Sequence, residues 1–164
     1  MTREERQQKI DSYADGYDIV VEALEGFPAE MWQFKPAPDR WSIHEIVVHL
    51  ADSEANAYVR CRRFIAEPGN AVMAYDQDAW AARLNYHQQS TEDALELFKW
   101  LRHTTFNLIR ALPDAVWSNT ATHPEHGSMS FERWLEIYEE HPRKHIAQMR
   151  QNHEAWKALQ AASA

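Results

Sequence analysis

The sequence predicts an all-α protein, a four-helix bundle with a short extra helix in a long connection. Two observations carry that expectation. Four long segments place apolar residues at three- and four-residue steps, and no segment sustains the alternation of a half-buried strand. Glycine is scarce, with 4 in 164 residues, and the few glycines and prolines fall between those segments, except Gly16 and Pro142.

The first segment runs from Arg3 to Glu25, with Ile10, Tyr13, Tyr17, Val20, Val21 and Leu24 along one stripe and Gly26 ending it. A connector with Pro28, Pro36 and Pro38 follows. Ser42, with Glu45 three residues on, then forms a capping box that opens a helix from Ile43 to Ile65. Pro68 and Gly69 break the chain, and a short helix is expected over Gln77 to Leu84. Ser90 opens the third long helix, whose stripe is read as Ala94, Phe98, Leu101, Thr105, Leu108 and Leu112 before Pro113 stops it. A loop with Pro124 and Gly127 leads to Ser130, the expected cap of a last helix from Phe131 to Leu159. All three connections are long, so loop length leaves the bundle topology open.

Composition excludes several classes. The length and 45% hydrophobic content suit one domain over residues 1–164 with a real core. A single cysteine, Cys61, rules out an internal disulfide. The net charge of −8 has the wrong sign for neutralising phosphates, so no nucleic-acid partner is expected. No uninterrupted apolar run approaches the ~18 residues of a membrane span, and the N-terminus is polar, so the expectation is a soluble, cytoplasmic protein without a membrane partner. No glycine-rich nucleotide or phosphate loop occurs.

The chemistry is sought in the histidines. His141 and His145 lie four apart, one above the other on a helical face. A wheel of the last helix with Phe131 at zero puts His145 within roughly 60° of the stripe and His141 on its rim near −80°. The wheel of the second helix puts His49 at the edge of its apolar arc, so three imidazoles can face one another between helices, as in bundle metal sites. Pro142 sits inside that last helix at a cost of about 3 kcal/mol. It either re-aims a ligand or only bends the helix around its neighbours. Glu54 falls on the apolar arc and must find a cation, hydrogen bonds or a proton. Its partner is either the outer ring N–H of a ligand histidine or a basic residue at the bundle surface. Asp52 and Ser53, one turn beyond His49, either shape the same site or are solvated.

The other histidines are weaker candidates. His44, His87 and His103 read as surface residues, and His153 lies roughly 12 Å along the helix from His145, too far for one ion. His123 and His126 belong to the long loop and line a mouth at most. The tryptophans read mainly as core, with Trp100 off its stripe, and Cys61 reads as a small core hydrophobe.

The stretch WSIHEIVVHLADSE, Trp41 to Glu54, and the late pair His141 and His145 followed by Ile-Ala-Gln together resemble the DinB-like superfamily, in particular its YfiT-like branch of metal-dependent hydrolases. The segment HPEHGSMSFERWLEIYEEHPRKHIAQM follows the same pattern, and the resemblance covers nearly the whole chain. It implies a four-helix bundle with one divalent ion, zinc or nickel, on His49, His141 and His145. Relatives include thiol-dependent enzymes such as bacillithiol transferases and mycothiol-dependent maleylpyruvate isomerase, and homodimers are common. Pro142 departs from the pattern, and so does Lys144, where relatives often carry another histidine.

Three neutral imidazoles leave open positions on a divalent ion, the arrangement of a catalytic site. The expected function is therefore a metal-dependent enzyme that activates a thiol or water for attack on a small electrophile. Glu54 or Asp52 would support the site, and a low-molecular-weight thiol is the candidate cosubstrate. The competing reading is a non-catalytic metal-binding or stress-related scaffold protein.

Overall fold

The computed structural model describes residues 1–125 and 127–163. Its helices are α1 (Arg3–Ala14), α2 (Gly16–Glu25), α3 (Ile43–Ala66), α4 (Gln77–Arg83), α5 (Thr91–Ile109) and α6 (Phe131–Ala162). The three serine caps are in place: Ser42, Ser90 and Ser130 accept from the backbone N–H of Glu45, Asp93 and Arg133 at 3.2, 3.1 and 3.1 Å. Glu45 returns the contact by accepting from the Ser42 N–H at 2.8 Å, which closes the expected capping box.

Two elements differ from the sequence expectation. The first long helix is broken at Asp15 into α1 and α2. At the break the Tyr13 carbonyl accepts from Arg102 Nε and Nη2 at 3.1 and 2.7 Å. Gly16 makes room for that arginine, since a Cβ there would fall 2.4 Å from Arg102 Nη2. The loop before α6 carries an antiparallel hairpin, β1 (Thr120–His123) with β2 (Gly127–Ser130), in which Ala121 pairs with Met129 and both face the core. The chain after α3 joins it: Val72 N–H donates to the Thr122 carbonyl at 2.9 Å, and Thr122 N–H to that of Asn70 at 3.2 Å. Strands of four residues are too short to show alternation in a sequence.

The α1–α2 pair packs mainly on α5 and α6, and α3 packs on the same two helices, so the first two corners in sequence stand diagonally across the bundle. The apolar core has two halves. One is built around Leu24, Met31, Ile46, Leu50, Phe98 and Met149, and the other around Tyr13, Phe64, Trp117, Phe131, Trp134 and Leu135. Between them lies a buried polar layer holding Glu54 and Arg102, which are 1% exposed each.

Candidate metal centre

α3 supplies His49, fully buried, and α6 supplies His141 and His145, both half-buried. Their Nε2 atoms converge, with His141 Nε2 3.4 Å from that of His49 and 3.1 Å from that of His145. One ring nitrogen from each histidine lies within 4.8 Å of the others. Three nitrogens around a tetrahedral zinc, at Zn–N of roughly 2.0–2.1 Å, stand about 3.3 Å apart, so the two pairs that share His141 already hold nearly that spacing, and the third lies within 4.8 Å.

The protonation states agree. Burial pushes His49 down to about 3, helped by the neighbouring His145. Burial pushes His145 down to about 4, against the pull of Gln148, and holds His141 well below the ordinary histidine value, with His145 and His49 adding to the effect. All three rings are therefore neutral at pH 7, the form that binds a metal. Nδ1 of His145 donates to Gln148 Oε1 at 3.0 Å, which leaves its Nε2 lone pair facing the other two histidines. Nδ1 of His49 and of His141 are buried and meet no hydrogen-bond partner among the described residues. Trp41 closes one side, its ring 4.5 Å from that of His49 and 6.3 Å from that of His145.

Neither predicted supporting carboxylate is hydrogen-bonded to any of the three histidines. Glu54 accepts from Arg102 Nη1 at 2.7 Å and, on its other oxygen, from the Tyr13 hydroxyl. Its partner is thus a cation, as one reading required, but in the core and not at the bundle surface. Asp52 accepts from the Tyr86 hydroxyl at 2.6 Å. The outer partner that is present, Gln148, was not anticipated. It follows His145 by three residues on the same helical face, but an amide carries no signature that singles it out.

Arg102 was also missed, although it falls between Phe98 and Thr105 on the buried stripe of α5, which is Ala94, Phe98, Arg102, Thr105 and Ile109. Besides Glu54 and the Tyr13 carbonyl, it donates to the Tyr138 carbonyl from Nη1 and Nη2 at 3.2 and 3.3 Å. Tyr138 lies four residues before Pro142, so its carbonyl is the one that Pro142, lacking an N–H, leaves without a helical donor. Arg102 supplies that donor one turn before His141.

The remaining histidines divide. His103 is exposed, as expected. His44 and His87 are half-buried instead of on the surface, because they stack at 6.0 Å and are tied to the Gln89 carbonyl and to Glu45, each at 2.9 Å. His153 packs edge-on against Phe27 at 5.5 Å. His123 is buried beside a cleft of about 160 Å³ that reaches His141, and His126 lies outside the described residues. Lys144 pairs with Glu140 on the surface.

A helical bundle with three facing histidines and an adjoining cleft defines a class of metal-centre bundle proteins. Residues 13–149 match the sequence profile of the DinB superfamily, and the chain belongs to that superfamily. It is 34% identical over 107 residues to a candidate metal-dependent hydrolase of Oceanobacillus iheyensis, covering 65% of this chain and 62% of the relative. It is 30% identical over 108 residues to YfiT of Bacillus subtilis, which is named in the same way, covering 65% and 61%. The match thus spans a little under two thirds of these relatives' length. The fold superposes on the structure of Bacillus subtilis YfiT with a TM-score of 0.88 at 23% identity, over 96% of this chain and 90% of that one. That structure is described as an unusual four-helix bundle topology, which is the fold found here.

Proposed function

We propose that the chain is a divalent-metal-dependent enzyme in which His49, His141 and His145 hold one zinc or nickel ion and a thiol or water is directed at a small electrophile. The observation that carries this reading is the convergence of three neutral, largely buried imidazoles, whose Nε2 atoms stand 3.4 and 3.1 Å apart in the two pairs that share His141, close to the spacing of tetrahedral ligands. A bound ion supplies Lewis acidity and an anionic nucleophile at neutral pH. Gln148 fixes the tautomer of His145, and Trp41 keeps bulk water from one side of the ring cluster. The cleft beside His141 is the route by which a small molecule approaches. Hydrolysis matches the names of the relatives. Transfer to a low-molecular-weight thiol uses the same site, because zinc accepts sulfur as readily as oxygen.

Elemental analysis of untagged protein, beside a His145→Ala variant checked for helicity by circular dichroism, tests the site. About one equivalent of zinc or nickel in the parent and none in the folded variant is expected. The loaded protein should then turn over an activated ester, or conjugate a thiol to an electrophile, in a metal-dependent way. Metal uptake without turnover across both panels would favour a non-catalytic metal-binding protein, and a parent that refuses metal would end the reading.

A further inference from the structure

We propose that the cleft beside His141 is the substrate subsite of the metal centre and takes the carboxylate of a small carboxylate-bearing molecule, with Arg60 as its anchor. This rests on the metal-centre reading and names the substrate class for the same site.

The cleft lies between α3, the chain after it, the β1–β2 hairpin and α6, and its wall includes Arg60, Tyr75, Tyr138 and His141. Arg60 Nη1 donates to the Tyr138 hydroxyl at 2.7 Å, and Nε donates to the Met73 carbonyl at 3.0 Å, as does Nη2. A guanidinium has five N–H groups, so these bonds leave one on each terminal nitrogen. Arg102, the other arginine near the site, is neutralised by Glu54. Arg60 forms no ion pair among the described residues, so its guanidinium charge has no direct counter-ion, although Glu125 also belongs to the cleft wall.

The hydroxyls point to the same ligand. The Tyr75 oxygen is buried beside the Ser53 hydroxyl, which acts as a donor toward it, and its own proton meets no acceptor among the described residues. A buried hydroxyl left in that state is costly unless an acceptor arrives. The Tyr138 oxygen accepts from Arg60, so its own proton is free to be donated. Burial raises both phenols, Tyr138 to about 12, and both therefore remain donors at neutral pH. Two N–H groups and two O–H groups make a donor-rich pocket, complementary to an anionic oxygen. Met129 and Ile137 give it an apolar wall suited to a short hydrocarbon.

Charge and shape select among anions. Glu125 stands exposed on the rim and opposes a second negative charge, which disfavours a phosphate dianion. A planar carboxylate matches the fork geometry of a guanidinium. With the carboxylate on Arg60, the far end of a small molecule is left toward His141.

The test is a titration of metal-free protein with propanoate and with its neutral isostere propanamide, followed by 1H–15N NMR and suited to millimolar affinities. Without an ion, a carboxylate cannot bind through the metal, so the readout isolates the cleft. Saturable shifts at Ser53, Tyr75 and Gln77, with propanoate bound at least tenfold more tightly than propanamide, are expected. Arg60→Met should remove that preference, and Tyr75→Phe should weaken propanoate at least threefold. If Arg60→Met loses helicity, Arg60→Lys takes its place and should still lose most of the preference. Equal binding of acid and amide, shifts centred elsewhere, or unchanged propanoate binding in folded variants of both residues would each overturn the proposal. A protein that shows the carboxylate preference yet takes up no zinc would sink the metal reading while leaving the subsite standing.

Discussion

Gln148 shows how a single amide decides whether an imidazole is ready for a metal. It accepts the Nδ1 proton of His145 and so fixes which nitrogen carries the lone pair. Gln148→Leu should leave the fold intact and weaken zinc binding about 10–100-fold, measured by competition with a chromophoric chelator. An unchanged affinity would mean that His145 needs no outer partner. Cys61 is the opposite case, a reactive group made inert. Burial pushes its thiol up to about 12, so the thiolate is absent near pH 8. A disulfide reagent at pH 8 should titrate one thiol at once in urea and react far more slowly with folded protein, and equal rates would contradict the burial. The three histidines were legible because helical periodicity places His49 toward the core and sets His141 and His145 on one face. Trp41 was not legible as a wall of the site, because it precedes the helix and a wheel has nothing to say about connector residues.

At the scale of an element, Pro142 in α6 was legible as a cost but its compensation was not. The donor that replaces its missing N–H comes from α5, and no pattern within α6 could reveal it. Arg102 was passed over because a charged residue is expected to face solvent, even though its spacing from Phe98 and Thr105 puts it on the stripe. The pairing makes a measurable cycle. Arg102→Leu strands Glu54 in the core and should cost about 3–5 kcal/mol in urea unfolding. Pro142→Ala restores an N–H that can reach the Tyr138 carbonyl, a bond of little consequence while Arg102 is present. In the double variant that N–H meets a carbonyl with no other donor, so the combined loss should be smaller than the sum by about 0.5–3 kcal/mol. The stranding of Glu54 is common to the two Arg102 variants and cancels, so additivity would show that Arg102 does not stand in for the missing donor. Gly16→Ala tests the same arginine from α2. Its Cβ would fall 2.4 Å from Arg102 Nη2, and the overpacking should cost about 1–3 kcal/mol.

At the scale of the whole molecule, the polar layer lies at the bundle's centre and all four corners reach it: Tyr13 from α1, Glu54 from α3, Arg102 from α5 and the Tyr138 carbonyl from α6. The four-helix class was legible because each helix carries its own stripe. The diagonal placement of α1–α2 and α3 was not, since long connections constrain neither direction nor neighbour. An ion on the three proposed histidines would add a further tie, from α3 to α6, and this yields a prediction about folding as well as chemistry. An ion that binds only the folded chain at 100 times its Kd adds about 2.7 kcal/mol of stability. For a domain of this size that corresponds to a rise in Tm of roughly 5–10 °C. The rise should saturate near one equivalent of zinc and be reversed by chelator. His141 and His145 sit on one helix and can bind zinc weakly by themselves, so the informative variant is His49→Ala. If the site closes across helices, this variant keeps both α6 histidines yet loses nearly all of the thermal shift. If the shift survives, the ion is held by α6 alone and the convergence of His49 on the other two rings is packing without coordination.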